Sequence, residues 1–221
     1  DNPVKNQYSQ IGIADTTPPW TKDEAKVLVK KVTEKSIVLL RNENNILPLD
    51  LSEIKSLAVI GPSAGKVISD WYGPNPPYSV SILDGIKKSF GKNINIMYAS
   101  GNKADSAVIA AKSCDVAIVC IGNHPLSYGL GWGQNYVPSD GREDIDRQAI
   151  TIEQEDLVRL VRAANPKTIL IMVSSFPYAI NWSKENVPAI LHVTQSSQEM
   201  GTAMADVLSG KVSPAGRLVQ T

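Results

Sequence analysis

The sequence predicts an α/β fold: a three-layer sandwich in which a mostly parallel sheet is flanked by helices. Strand-like and helix-like segments alternate along the chain without internal repeats, the pattern of helices laid over a parallel sheet. The run Asp115–Ile121 reads as a strand with both faces apolar, as expected where helices cover both sides of a sheet. The stretch that follows it, 122–150, is longer than the connections of a compact domain usually are, so it is either functional or floppy.

In chain order, residues 1–20 are polar and proline-bearing, ending in Thr17-Pro18-Pro19-Trp20, and have linker composition. Thr21-Lys22-Asp23-Glu24 spells a capping box, with Thr21 as N-cap and Glu24 reaching back. The spacing of Ala25, Leu28, Val29, Val32, Ser36 and Leu39 predicts a helix to about Arg41 with that face buried, stopped by Asn44-Asn45. Ser56–Ile60 reads as a buried strand ending at Gly61-Pro62. Ser81–Phe90 reads as a helix lined by Ile82, Leu83, Ile86 and Phe90 and ended by Gly91. A strand at Ile94–Tyr98, a short helix at Asp105–Lys112 and the strand Asp115–Ile121 follow. After the long loop, Thr151 and Gln154 cap a helix striped by Leu157, Leu160, Val161 and Ala164, which Asn165-Pro166 breaks. Thr168–Val173 and Ala189–Thr194 are strands, and Tyr178–Trp182 has the composition of a short one. Ser196 and Glu199 cap a helix carrying Met200, Ala203, Met204 and Val207, closed by Gly210. Pro214-Ala215-Gly216 then turns into a last strand. That strand stops mid-phrase at Thr221, and Asp1 opens without a signal segment, so an internal piece of a longer protein is expected.

A chain of 221 residues with 43% hydrophobic and 20% charged residues can bury a sizeable core. Its 22 basic and 22 acidic residues balance, so nothing points to nucleic acid or an anionic membrane surface. The apolar runs fall far short of the ~20 residues that span a bilayer. Cys114 and Cys120 make no disulfide framework, and the cysteines and histidines show no metal-like spacing, so neither metal nor cofactor is expected. His192 lies in a strand, where a satisfied core histidine is the default; His124 opens the long loop. Ser63-Ala64-Gly65-Lys66-Val67 fails as a phosphate loop, since Gly61 and Gly65 are too close and Val67 offers no hydroxyl to Mg²⁺. No Gly-x-Ser-x-Gly elbow is present. Asn181-Trp182-Ser183 fits a glycosylation acceptor, a triplet common by chance.

Chemistry is concentrated at Asp140–Arg147, which places six charges in eight residues late in the loop after Asp115–Ile121. Loops leaving the carboxyl ends of strands are where α/β proteins bind ligands. Crowding by carboxylates and arginines moves a carboxyl pKa in either direction, which acid/base work requires. The plainer reading is a solvated charge cluster. Trp71, in the aromatic loop Asp70–Tyr78, is either a platform for the apolar face of a sugar or a plug at the core edge.

Several segments resemble glycoside hydrolase family 3. Lys35–Glu43 with Ile46–Leu49 is similar to the opening of that family's second domain, and Val59-Ile60-Gly61-Pro62 to its first strand. Glu143-Asp144-Ile145-Asp146-Arg147 resembles its Glu-x-x-x-Arg segment, with Ile150–Leu157 the helix after it. Asp206–Gly210 and Ser213–Leu218 resemble its close. These segments occur in the family's order over about 20–221. The resemblance implies 1–20 as an interdomain linker and 21–221 as the α/β-sandwich domain. It implies a retaining exo-β-glycosidase, β-glucosidase- or β-xylosidase-like, in which an upstream barrel domain supplies an aspartate nucleophile. Glu143 would be the acid/base, Arg147 would orient or support the loop, and Trp71 would lie near the leaving-group subsite. Asp140, Asp144 and Asp146 are the competing carboxylates. The implied partners are a β-linked oligosaccharide or glycoside and the upstream barrel; the implied location is periplasmic or secreted. Alone, the domain would be catalytically silent.

The chemistry of such a site is consistent with this division of labour. A retaining glycosidase needs two carboxyl groups about 5–5.5 Å apart, one of them protonated to serve the leaving oxygen, and an anionic neighbour with partial burial would keep it so. A non-catalytic carbohydrate-binding or interdomain scaffold, using Trp71, Trp132 and Tyr136, and a doubly wound nucleotide- or metabolite-binding domain are the other classes the sequence admits.

Overall fold

A computed structural model of the chain describes residues 18–68, 76–122, 146, 148–152, 154–175, 177–195 and 197–219. The first helix, α1, spans Asp23–Ser36. The expected capping box is not made. The Thr21 hydroxyl instead donates to the Pro18 carbonyl at 2.7 Å, within a 3-10 turn over Pro19–Thr21, and Lys22 takes the N-cap without a side-chain bond. The helix stops at Ser36 rather than Arg41, because Ile37 turns extended and Val38–Asn42 form strand β1. Ile37 is fully buried and Val38 nearly so. Burial of each is worth roughly 1.5–3 kcal/mol, more than the few tenths per residue by which helix propensities differ, so packing decides the boundary. The buried stripe differs as well. Ala25 and Val29 are half-buried and Thr33 buried, whereas Leu28 and Val32 are 61% and 59% exposed. Asn44 and Asn45, both at positive φ, turn the chain after β1, and the Asn42 side chain clasps both backbone groups of Leu47 at 2.8 and 3.0 Å.

The parallel part begins at β2, Ser56–Ile60. Helix α2, Ile82–Phe90, follows with Ser81 as a true N-cap, its Oγ accepting from the Asp84 N–H at 3.1 Å. Then come β3 (Asn95–Ala99), α3 (Ala104–Lys112) and β4 (Val116–Ile121). After these lie α4 (Glu155–Ala164), β5 (Thr168–Val173), α5 (Asn181–Asn186), β6 (Ala189–Val193) and α6 (Met200–Leu208). Tyr178–Trp182 contributes a single bridge, Thr151 with Ala179, and then the start of α5 rather than a strand. Ser213–Val219 form no strand; Gly216 donates its N–H to the Ile37 carbonyl at 2.9 Å. The N-cap of α4 is Gln154, without a side-chain cap bond, and that of α6 is Glu199, likewise without one; Ser196, the expected cap of α6, lies outside the described residues.

Among the described residues the sheet has the order β1-β6-β5-β4-β2-β3, parallel throughout except for β1, which runs against β6. Strand residues alternate between two cores. Leu57, Val59, Ile118, Cys120, Ile171 and Leu191 pack under α2 and α6. Ala58, Ile60, Val119, Ile121, Leu170 and Met172 pack under α3 and α4. This is the three-layer sandwich the alternation predicts. Helices α2 and α6 touch backbone to backbone: a Cβ on Gly201 would sit 1.8 Å from the Ser81 carbonyl oxygen, and one on Gly85 2.1 Å from Gly201. Helix α1 lies against α6, where Lys30 ion-pairs with Asp206 and Thr33 bonds Ser197.

Candidate active site

The strand order contains one reversal. From β2 the chain crosses through α2 to β3 on one side, then returns through α3 to β4 on the other side of β2. Beyond such a point the connections leaving two neighbouring strands diverge to opposite faces, and a crevice opens outside the carboxyl ends. Here the neighbours are β2 and β4, paired through Ile60 and Val119. The segments leaving them are the two singled out in the sequence: Trp71 follows β2, and Glu143 and Arg147 follow β4. Trp71, Glu143 and Arg147 themselves lie outside the described residues, as do His124, Trp132, Tyr136, Asp140 and Asp144. Asp146 is described and exposed.

Both exits are fixed at their roots by glycine. Gly61 leaves β2 at φ +116°, where a Cβ would meet the Cys120 carbonyl oxygen at 2.2 Å. Gly122 leaves β4 at φ +155°, where a Cβ would meet the Val173 oxygen at 1.9 Å. Each exit therefore runs hard against the next strand, and L side chains are excluded there. Ser63, buried, donates its N–H to the Cys120 carbonyl at 3.2 Å, laying the first turn of the β2 exit over the end of β4. Burial also lowers the pKa of Lys66 on this turn.

The returns are tied down as well. After the β2 loop, Val80 donates to the Gln198 carbonyl at 2.7 Å and Gln198 Nε2 to the Tyr78 carbonyl at 3.1 Å. The Tyr78 phenol is pushed up to about 12 by burial and by its bond to Glu199. After the β4 loop, Ala179 donates to the Ile150 carbonyl at 2.7 Å beside the Thr151–Ala179 bridge, and Ile152 is buried. Gln154 Oε1 accepts from the Gly122 N–H at 3.3 Å. Sequence reasoning assigned Gln154 to a helix cap, and no local signal marks its partner 32 positions away.

His192 of β6 donates from Nε2 to the carbonyl of Ser174, just beyond β5, at 3.1 Å and sits 3.2 Å from its hydroxyl. Burial holds the imidazole below its ordinary pKa. This is the satisfied histidine expected. Both cysteines are free and buried, and burial pushes the Cys120 thiol far up. Among the described residues no group of three or more His, Cys, Asp and Glu side chains could hold a metal ion, and no helix is long and apolar enough to cross a membrane.

Comparison with known proteins bears on what such a rim does. Residues 37–221 match the model of the glycosyl hydrolase family 3 C-terminal domain. A β-xylosidase of Formosa agariphila is 35% identical over 215 residues, which cover 90% of this chain and 28% of that protein. A periplasmic β-glucosidase of Salmonella typhimurium is 29% identical, over 96% of the chain and 30% of its own length. Among solved structures, the family 3 β-glucosidase of Bifidobacterium adolescentis superposes with a TM-score of 0.77 at 25% identity, covering 99% of this chain and 31% of that one. The chain thus spans under a third of the length of these relatives.

Proposed function

Because the chain belongs to glycosyl hydrolase family 3, as its C-terminal domain, we propose that it is the second domain of a retaining exo-β-glycosidase. The substrates are terminal β-D-glucosyl or β-D-xylosyl residues, and the active site is shared with an upstream barrel domain, to which residues 1–20 are the linker. The observation that carries this reading is the position of the reversal. The segments bearing Trp71 and Glu143 leave neighbouring strands on either side of it, and it is at such a reversal that α/β folds open a binding crevice.

Glu143 is the acid/base. Its carboxyl proton passes to the glycosidic oxygen as the C1–O bond breaks, while a carboxylate of the upstream domain bonds to C1. The resulting glutamate then takes a proton from water, whose oxygen attacks C1 and releases the upstream carboxylate. Arg147 orients the acid/base segment, and Trp71 stacks against the leaving group. The chemistry divides between two bodies, so the isolated domain is silent. By likeness to the Salmonella relative, named as periplasmic, the protein works in the periplasm or outside the cell.

The test is Glu143→Gln in the full-length protein, assayed on aryl β-glucosides and β-xylosides of graded leaving-group ability. Loss of kcat/KM on poor leaving groups, retention on dinitrophenyl glycosides, and azide rescue of kcat are the expected results. Unchanged turnover of the poor leaving groups would leave the domain a carbohydrate-binding scaffold instead.

A further inference from the structure

We propose that the outward face of α1, centred on Leu28 and Val32, is the surface on which the upstream domain seats. The inference rests on the reading above that such a domain shares the active site, and it adds the contact that holds the two bodies together. Helix α1 carries more apolar surface than the sandwich uses. Ala25 and Val29 are half-buried and Thr33 buried, on the side where Lys30 pairs with Asp206 and Thr33 bonds Ser197. Leu28 and Val32, one turn apart, stay 61% and 59% exposed, as do Val27 within the helix and Trp20 in the turn that enters it, at 67% and 59%. Among the described residues, six of the eleven large apolar side chains left exposed fall in Trp20–Leu40. Single exposed leucines are ordinary, whereas a concentration of them bordered by charge marks an interface. The border is present: exposed Glu24, Lys31 and Lys35 lie three or four positions from Leu28 or Val32 and so flank them on the helix. Charges of both signs suit a protein surface rather than an anionic lipid.

The helix also lies on the side of the sheet where the domains must meet. Lys26 Nζ sits 5.7 Å from the centre of the Tyr78 ring, just ahead of α2. Thr33 bonds Ser197, between β6 and α6. Val38, two residues beyond the helix, pairs with His192 near the end of β6. All three contacts are at the carboxyl ends of strands, so α1 borders the rim where α/β folds bind ligands. The occupant follows from length and connectivity. The matched relatives carry more than two thirds of their length outside the part this chain covers, and the matching model is that of a C-terminal domain. A domain ahead of this one is tethered just before α1, at an effective concentration on the order of millimolar for a short linker. A second copy would have to compete with it for the same face.

The experiment uses the full-length protein and reads accessibility directly. Leu28→Cys, Val32→Cys and Ile109→Cys are treated with a maleimide under native conditions, and labelling is followed peptide by peptide by mass spectrometry. Ile109, on α3 and 60% exposed in this domain, is the matched control; Cys114 and Cys120 are buried. Labelling of the first two is expected to be at least about tenfold slower than that of Ile109→Cys, because it must await a local separation of the two bodies. The protection should not change with protein concentration. Equal labelling of all three would show the face open and overturn the proposal. Protection that fades on dilution as light scattering reports loss of a dimer would also overturn it, assigning the face to a second copy. Leu28→Asp puts a charge into the contact and is expected to lower kcat/KM on poor and dinitrophenyl glycosides alike, by about 10- to 100-fold, whereas Ile109→Asp should leave both unchanged. Rates and Tm unaltered by Leu28→Asp would count against the seat as decisively as open labelling. The two readings fail separately: Glu143→Gln without leaving-group dependence removes the acid/base, while the labelling pattern still decides the seat.

Discussion

At the amino end of the sheet, side chains close directly on backbone. Asp115 Oδ2 accepts from the N–H groups of Lys55 and Ser56 at 2.8 and 2.9 Å and from the Ser56 hydroxyl at 3.0 Å, and the Asp115 N–H donates back to that hydroxyl. Buried Asn165 donates to the carbonyls of Ala111 and Cys114 at 2.9 and 2.8 Å and accepts from the Lys167 N–H at 2.8 Å. The starts of β2, β4 and β5 are thereby stitched together by neutral and charge-assisted bonds. At the carboxyl end the chain leaves β2 and β4 through Gly61 and Gly122 into long segments, tied at their roots by Ser63 and Gln154, while Ser174 beyond β5 bonds His192 of β6. One end holds strands in register; the other ties down the roots of the segments that leave them. Substitutions at the two ends should accordingly separate stability from catalysis.

The sharpest separation comes from Glu143→Gln. In the full-length protein we expect kcat/KM on poor leaving groups to fall by about 10²- to 10⁴-fold, the usual contribution of general acid–base catalysis, with Tm unchanged. A parallel loss of Tm would mean that the carboxyl-end loop also supports the fold. The counterpart at the amino end is Asn165→Ala. It strands two carbonyls and one N–H group in the interior, at a cost of about 2–4 kcal/mol, which in a domain of this size is a fall in Tm of roughly 4–16 °C. Turnover per folded molecule should not change. If it does, the two ends are coupled through β4 or β5.

The two ends also differ in what could be read from sequence. Strand β5 coincides with the expected Thr168–Val173, and α2 presents Ile82, Leu83, Ile86 and Phe90 to the core as its spacing required. In both cases burial on neighbouring elements imposes a period that the chain carries locally. The α1–β1 boundary was illegible because Ile37–Leu40 suits either period, and what selects strand is β6, about 150 positions away. The stripe of Leu28 and Val32 was visible as a stripe, but periodicity does not say which side of a helix a neighbour covers. For the site, charge density singled out the stretch Asp140–Arg147 and aromatic content the loop of Trp71, while the choice of Glu143 within its stretch came from the family resemblance. The strand order that makes β2 and β4, the strands these segments follow, neighbours was not legible, since only pairing reveals where the sheet reverses. The Gln154–Gly122 bond belongs to the same class of non-local contact.

A smaller effect tests the amino end by pH. Backbone and hydroxyl donors from Lys55 and Ser56 hold Asp115 below the usual carboxylate range. A carboxyl whose folded pKa is depressed stabilises above its unfolded value, near 3.9, and loses that contribution as pH falls through the folded value. Asp115→Asn should therefore lower Tm at neutral pH and flatten the acid limb of the stability curve below about pH 4. An acid limb as steep as the wild type's would assign that limb to other carboxylates.

The carboxyl end should titrate in a different window, and this is the smallest effect. His192 lies below its ordinary pKa chiefly because burial penalises the imidazolium, although the bond to the Ser174 carbonyl opposes this. For a base the sign is set by the unfolded chain, which takes up the proton first as pH drops through about 6.5. The folded state therefore loses stability from roughly pH 7 downward, until the folded imidazole also protonates. In His192→Gln an amide can still donate to Ser174, but nothing titrates, so the slope of Tm between about pH 7 and pH 5 should diminish while the limb below pH 4 stays. Combined with Asp115→Asn, the two changes should add, because the groups sit at opposite ends of the sheet and share no partner. Non-additivity would mean that the ends communicate through the strands, and the separation of stability from catalysis would then have to be redrawn around β4, β5 and β6.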